Sequence, residues 1–245
     1  MSLANCRVVL VRPHYPGNIG ATARVMGNMG LSRLYLVDPV ADPLDPDAIR
    51  MATHGEAILR SATVVGDLSA ALADCHFALA TSANVGGLFR KQTTGSPADL
   101  APLLVAELRA GRNAAIVFGP EPTGLSNAEI TLCHHLMQVP TSDDHLSLNL
   151  AQAVAICLYE TRKAWLMSPD ATGELEDVAT LADQEQLFTH LREALEAIHF
   201  LYGEKADPLM HAIRHLLGKA KLSVMETKLL HGLARQILWQ VESRT

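Results

Sequence analysis

Three short segments carry the side chains that could do chemistry. The first is Pro16-Gly17-Asn18-Ile19-Gly20-Ala21-Thr22-Ala23-Arg24. Its two glycines permit a tight turn from a strand into a helix, with an amide and a guanidinium close by. The GxxG spacing is neither the GxGxxG of a dinucleotide fold nor a phosphate loop with its lysine, so nucleotide-phosphate binding is a weak reading. In the second, Val117-Phe118-Gly119-Pro120-Glu121-Pro122-Thr123-Gly124-Leu125, two glycines bracket one carboxylate that two prolines stiffen. The third, Leu146-Ser147-Leu148-Asn149-Leu150, sets two polar side chains between leucines at the head of a long helix, where backbone N–H groups can be offered to a ligand. Taken alone, Ser147 or Asn149 reads as a plain helix cap.

The elements that must position these segments alternate along the chain. Apolar runs at Arg7–Val11, Leu34–Val37, Phe77–Thr81, Ala114–Phe118 and Leu136–Val139 read as strands. Ile19–Met29, Pro97–Ala110 and Ser126–Cys133 read as helices, and a long helix is expected from about Ser147 to Trp165. The alternation predicts an α/β fold with a largely parallel sheet. Each of the three segments then lies where a strand ends, which is where ligands bind in open α/β sheets.

Residues 1–167 are expected to form this domain. The composition then shifts to an acidic linker, residues 168–180, that opens Ser168-Pro169-Asp170. Beyond it, residues 181–245 read as a small helical extension. Phe188, Leu191, Leu195, Ile198 and Tyr202 recur at steps of three or four, as do Leu222, Met225, Leu229, Leu233, Ile237 and Val241.

Composition removes several alternatives. With 49% hydrophobic and 19% charged residues over 245 positions, the chain can bury a core and is not a disordered protein. No apolar run approaches the ~18 residues of a membrane span. Met1–Arg7 lacks the apolar stretch of a signal peptide, so a cytoplasmic protein is expected. Cys6, Cys75, Cys133 and Cys157 form no CxxC pair and read as reduced core residues. His211 and His215 lack a third zinc ligand, and Asp143, His145 and Ser147 lack a nucleophile elbow, so neither a metal site nor a serine hydrolase is expected.

The net charge of −6 counts against a nucleic-acid partner when averaged over the chain, but charge is segregated. The first 37 residues hold four arginines and no acid, and Lys205 to Arg235 holds six basic residues against two acids. On charge alone, ordinary solvated faces remain an equal reading.

Together, the three segments resemble the three signature motifs of the SpoU (TrmH) class of the SPOUT methyltransferase superfamily, in the same order. The likeness is greatest to its bacterial TrmJ-type tRNA 2′-O-methyltransferases. It runs from Arg7 to Trp165 and continues more weakly through the helical tail. The resemblance implies a SPOUT fold with a C-terminal trefoil knot, a homodimer, no membrane and no metal. It implies S-adenosyl-L-methionine held by Thr81, Ser82, Ala83, Gly119, Val139, Leu146, Ser147 and Leu148. Arg24, Asn18, Glu121, Ser147 and Asn149 match the catalytic constellation, and Arg24, Arg90, Lys91, Lys219 and Lys221 are the expected RNA contacts. The reaction implied is ribose 2′-O-methylation of tRNA, at the cytidine or uridine of anticodon-loop position 32. An rRNA target and a non-catalytic RNA-binding protein of the same fold are the alternatives.

Overall fold

The computed structural model describes residues 3–83, 94–168, 177–218 and 221–243. Arg90, Lys91, Lys219 and most of the expected linker lie outside the described residues. The chain divides into two compact units, Met1–Gly173 and Glu174–Thr245.

In the first unit, β1 (Cys6–Val11), β2 (Arg33–Val37), β3 (Thr63–Val65), β4 (Phe77–Thr81), β5 (Thr94–Gly95), β6 (Ala114–Phe118) and β7 (His135–Met137) form one sheet. Their order is β3-β2-β1-β6-β4-β7-β5, and every neighbouring pair is parallel, as the alternating pattern predicts. A parallel sheet is covered on both faces, so its central strands read as unbroken apolar runs. Accordingly every residue of β1 and β6 is buried.

The covering helices are α1 (Pro16–Met29), α2 (Pro46–Ala52), α3 (Glu56–Arg60), α4 (Leu68–Leu72), α5 (Pro97–Arg109), α6 (Asn127–Thr131) and α7 (Leu150–Met167). α1 packs on α2 and α7, and α7 also packs on α5. Val8, Leu10, Leu79 and Ile116 of the sheet meet Ile19, Met26, Leu104 and Leu158 of these helices in one core.

Three of the boundaries that differ from the sequence expectation bear on the site, each for a local reason. α1 opens at Pro16 rather than Ile19, because proline at a first helical position loses no hydrogen bond. Gly17 and Gly20 therefore lie inside the helix and make no turn. What Gly20 provides is close approach, since a Cβ there would stand 2.0 Å from the Ala48 carbonyl oxygen of α2. Arg24 consequently falls on the third helical turn. β7 ends at Met137, two residues before Val139, although the Gln138 N–H still donates to the Gly95 carbonyl at 3.0 Å. α7 starts at Leu150, not Ser147, because the Asn149 side chain accepts the N–H groups of Ala151 and Gln152 and so caps the helix there.

The second unit holds α8 (Leu181–Ala197), α9 (Ala206–Gly218) and α10 (Val224–Glu242) around Leu187, Phe188, Leu191, Met210, Leu222 and Ala234. Thr180 with Asp183 and Ser223 with Glu226 close capping boxes that start α8 and α10. The apolar series in α10 divides between the core, on which Ile237 packs, and the surface. Met225, Leu229 and Leu233 are 75%, 69% and 52% exposed, while Thr227 and Ala234 are buried. Among the described residues no helix is long and apolar enough to cross a membrane, and no group of three or more His, Cys, Asp or Glu is placed to hold a metal ion.

Candidate active site

At the carboxyl ends of β4, β6 and β7 the first unit encloses a cavity of about 270 Å³. Three stretches of chain wall it. Thr81, Ser82 and Ala83 leave β4, residues 118–124 leave β6, and Leu146, Ser147 and Leu148 approach α7, with Met137 and Val139 between. All eight residues expected to hold a cofactor thus line one space. The walls also include Phe118, Leu150, Ala153 and Cys157. The sequence alone does not single these out, because they are continuations of β6 and α7 that look like any other core positions.

Backbone hydrogen bonds fix the walls. The Thr81 hydroxyl donates to the Val117 carbonyl at 3.0 Å, and the Ser82 N–H donates to the Met137 carbonyl at 3.1 Å. Gln138 Nε2 donates to the Ala83 carbonyl at 3.0 Å. The Gly124 N–H donates to the Pro120 carbonyl at 2.8 Å, folding the loop after β6 back on itself. Burial pushes the Cys157 thiol up to about 12, so this wall residue stays neutral and is no nucleophile at physiological pH.

At the edge of the cavity, three polar side chains join the three motifs. Glu121 Oε1 accepts from Asn18 Nδ2 at 2.9 Å, and Glu121 Oε2 accepts from the His14 N–H at 2.9 Å. Asn149 Nδ2 then donates to Asn18 Oδ1 at 3.0 Å, while its own Oδ1 accepts from the Ala151 N–H at 2.9 Å. Asn149 is therefore both the helix cap and a bracing residue. Glu121, far from being a surface ornament, holds the strand-to-helix connection after β1. Charge-assisted bonds of this sort are the stronger ones.

A second carboxylate, which sequence reasoning missed, repeats the tie. Arg12 pairs with Glu129 at 2.7 Å, and Glu129 also accepts the Ser126 N–H at 2.7 Å. Burial alone would raise the Glu129 carboxyl, but the Arg12 guanidinium and the Ser126 donors hold it below the usual carboxylate range. The Ser126-x-x-Glu129 spacing was the available signal, being that of a capping box.

Arg24 is exposed on α1 and is not among the residues that line the cavity. Ser147 lines it, and Asn18, Glu121 and Asn149 join in one network. Lys221 is exposed in the second unit.

Comparison with known proteins places this geometry in a family. Residues 5–159 match the SpoU rRNA Methylase family, and residues 182–245 match the C-terminal domain of the tRNA methyltransferase TrmJ. The chain is 37% identical over 238 residues to the tRNA (cytidine/uridine-2′-O-)-methyltransferase TrmJ of Sodalis glossinidius, covering 96% of this chain and 92% of that protein. The crystal structure of TrmJ from Z. mobilis ZM4 superposes with a TM-score of 0.80 at 29% identity, covering 94% of this chain and 98% of that one. The SpoU methyltransferase AviRb of Streptomyces viridochromogenes, solved in complex with the cofactor AdoMet, shares the fold at 24% identity and a TM-score of 0.52, over 66% of this chain and 58% of that one. On these matches the chain belongs to the SpoU methylase family.

Proposed function

We propose that the chain is an S-adenosyl-L-methionine-dependent RNA 2′-O-methyltransferase that acts on tRNA, at the cytidine or uridine of anticodon-loop position 32, as a cytoplasmic homodimer. One observation carries the reading: the second and third motifs line a single cavity at the strand ends together with Thr81–Ala83, and the first motif is tied to both through Asn18, which bonds Glu121 and Asn149. Glu121 is the single charged side chain among the described residues lining that cavity. A carboxylate and apolar walls suit a cationic sulfonium with an aromatic base. Bound there, S-adenosylmethionine supplies an electrophilic methyl group.

The chain's own residues do the rest on this reading. Thr81–Ala83, Gly119, Val139 and Leu146–Leu148 hold the adenosine through backbone groups, which explains their mixture of small and apolar types. The expected trefoil knot would bring the 119–124 and 146–148 loops to one cavity, which both of them line. Arg24 is an inadequate general base, because a guanidinium keeps its proton below pH ~12. Its role is to bind the phosphate beside the target ribose and to favour charge developing on the 2′-oxygen. Because Arg24 does not line the cavity of its own chain, it serves the cavity of a second copy, and Lys221 adds a phosphate contact from the helical extension. Only RNA carries the 2′-hydroxyl.

Incubation of the protein with labelled S-adenosylmethionine and unmodified bulk tRNA, followed by nucleoside analysis, is expected to yield 2′-O-methylated pyrimidine nucleosides. Label in rRNA alone would move the substrate; tRNA binding without transfer would leave a non-catalytic binder. Glu121→Gln keeps one acceptor oxygen where the carboxylate uses two. It is expected to weaken cofactor binding about tenfold by calorimetry, the scale of one lost charge-assisted bond.

A further inference from the structure

We propose that Tyr15 is a stacking platform for a nucleobase of the RNA, at the mouth of the candidate active site; the proposal rests on the reading of that site as an RNA 2′-O-methyltransferase. Tyr15 immediately precedes the first motif segment and is 58% exposed, whereas Phe118, the one phenylalanine, tyrosine or tryptophan within the three segments 16–24, 117–125 and 146–150, is buried.

An exposed tyrosine on a surface is ordinary, but the backbone beneath this one is held unusually firmly. The Tyr15 carbonyl accepts the N–H groups of Asn18 at 3.0 Å and Ile19 at 3.4 Å, and Pro16 follows it as the first residue of α1. On the other side, the His14 N–H is bonded to Glu121, which lines the cavity. The ring is therefore carried on a fixed loop, one residue from a direct hydrogen bond to the cavity wall. An aromatic side chain offered at low cost in conformational entropy is what base stacking exploits.

The N–H groups of Val40, itself 62% exposed, and Ala41 donate to the Pro13 carbonyl, two residues before Tyr15, which ties the loop down from a third side. Close by, Asp47 and Met51 of α2 stand against Gly17. Asp47 is itself paired with Arg50, and the phosphates are left to Arg24. A sequence-specific enzyme acting on a loop nucleotide must hold splayed bases somewhere near the reacting ribose, and aromatic faces are the usual device.

The test uses the full chain as wild type, Tyr15→Ala and Tyr15→Phe, with unmodified tRNA transcript and S-adenosylmethionine. Tyr15→Ala is expected to raise the tRNA Kd and KM about tenfold with cofactor affinity unchanged, the scale of losing one base–aromatic stack. Tyr15→Phe keeps the ring and is expected to stay within twofold of wild type. Equal tRNA affinity in wild type and Tyr15→Ala overturns the platform and leaves the methyltransferase reading intact. So does a Phe variant as defective as the Ala variant, which would assign the hydroxyl instead. A smaller species for Tyr15→Ala in sedimentation, with tRNA affinity per folded dimer unchanged, would give this face to a second copy and also overturn the platform. Failure of the wild type to methylate any RNA offered overturns the site reading itself, and the platform with it.

Discussion

Gly119→Ala is expected to lower affinity for S-adenosylmethionine by about 100-fold or more, and methyl transfer with it. An ideal Cβ on residue 119 would stand 2.3 Å from the Leu125 nitrogen, 2.5 Å from the Gly124 carbonyl carbon and 2.9 Å from the Gly124 Cα. All three are backbone atoms, so no side chain can swing aside to make room. The 119–125 loop must open, and that loop is one wall of the cavity. Opening it by even an ångström spoils positioning, to which catalysis and binding are both sensitive. Gly124 provides the control. It has φ +65° but open space around its Cβ, so Gly124→Ala meets only the left-handed backbone penalty of about 1 kcal/mol and is expected to weaken binding about fivefold. Calorimetric titration on both variants, with thermal melts to confirm folding, checks the ranking. A folded Gly119→Ala protein that binds within threefold of wild type removes Gly119 from the site.

How far the chain could be read without its structure depends on whether a feature is periodic or tertiary. The five strands read from apolar runs all exist, and so does their parallel arrangement, because buried strands leave a local signature in β-branched and aliphatic residues. β5 and β3 left none. β5 is two residues long, and β3 is a three-residue edge strand with Thr63 and Val64 exposed. α2 was missed although Asp45-Pro46 is a legible start, with Asp45 accepting the Asp47 N–H and Pro46 in the first turn. In the helical extension, periodicity identified α10 but not its inner face, since Ile237 packs on the core while Met225, Leu229 and Leu233 of the same series are exposed. Motif residues were legible as types and spacings. Their partnership was not: nothing in the sequence places Asn18 against Asn149, 131 positions away, or Arg12 against Glu129. Arg12 meets Glu129 only because β1 and β6 become neighbours in the sheet.

Arg24→Ala is expected to cut kcat by about a thousandfold while leaving the cofactor Kd unchanged. The size follows from removing one donor that meets charge present mainly in the transition state. Unchanged cofactor binding follows from the structure, because Arg24 is exposed and does not line the cavity. Arg24→Lys retains the charge but not the bidentate fork, so its kcat is expected between those of wild type and Arg24→Ala. Whether the guanidinium serves its own chain or a second copy is decided by mixing. Arg24→Ala and Gly119→Ala proteins are each expected to be inactive alone. In a mixed dimer with shared sites, the intact Arg24 of one protomer faces the intact cavity of the other, so one of the two sites works. Random reassortment makes half the dimers mixed, and activity is expected to return to about a quarter of the wild-type value. If Arg24 acted within its own chain, every site in the mixture would lack either its arginine or its cavity, and no activity would return.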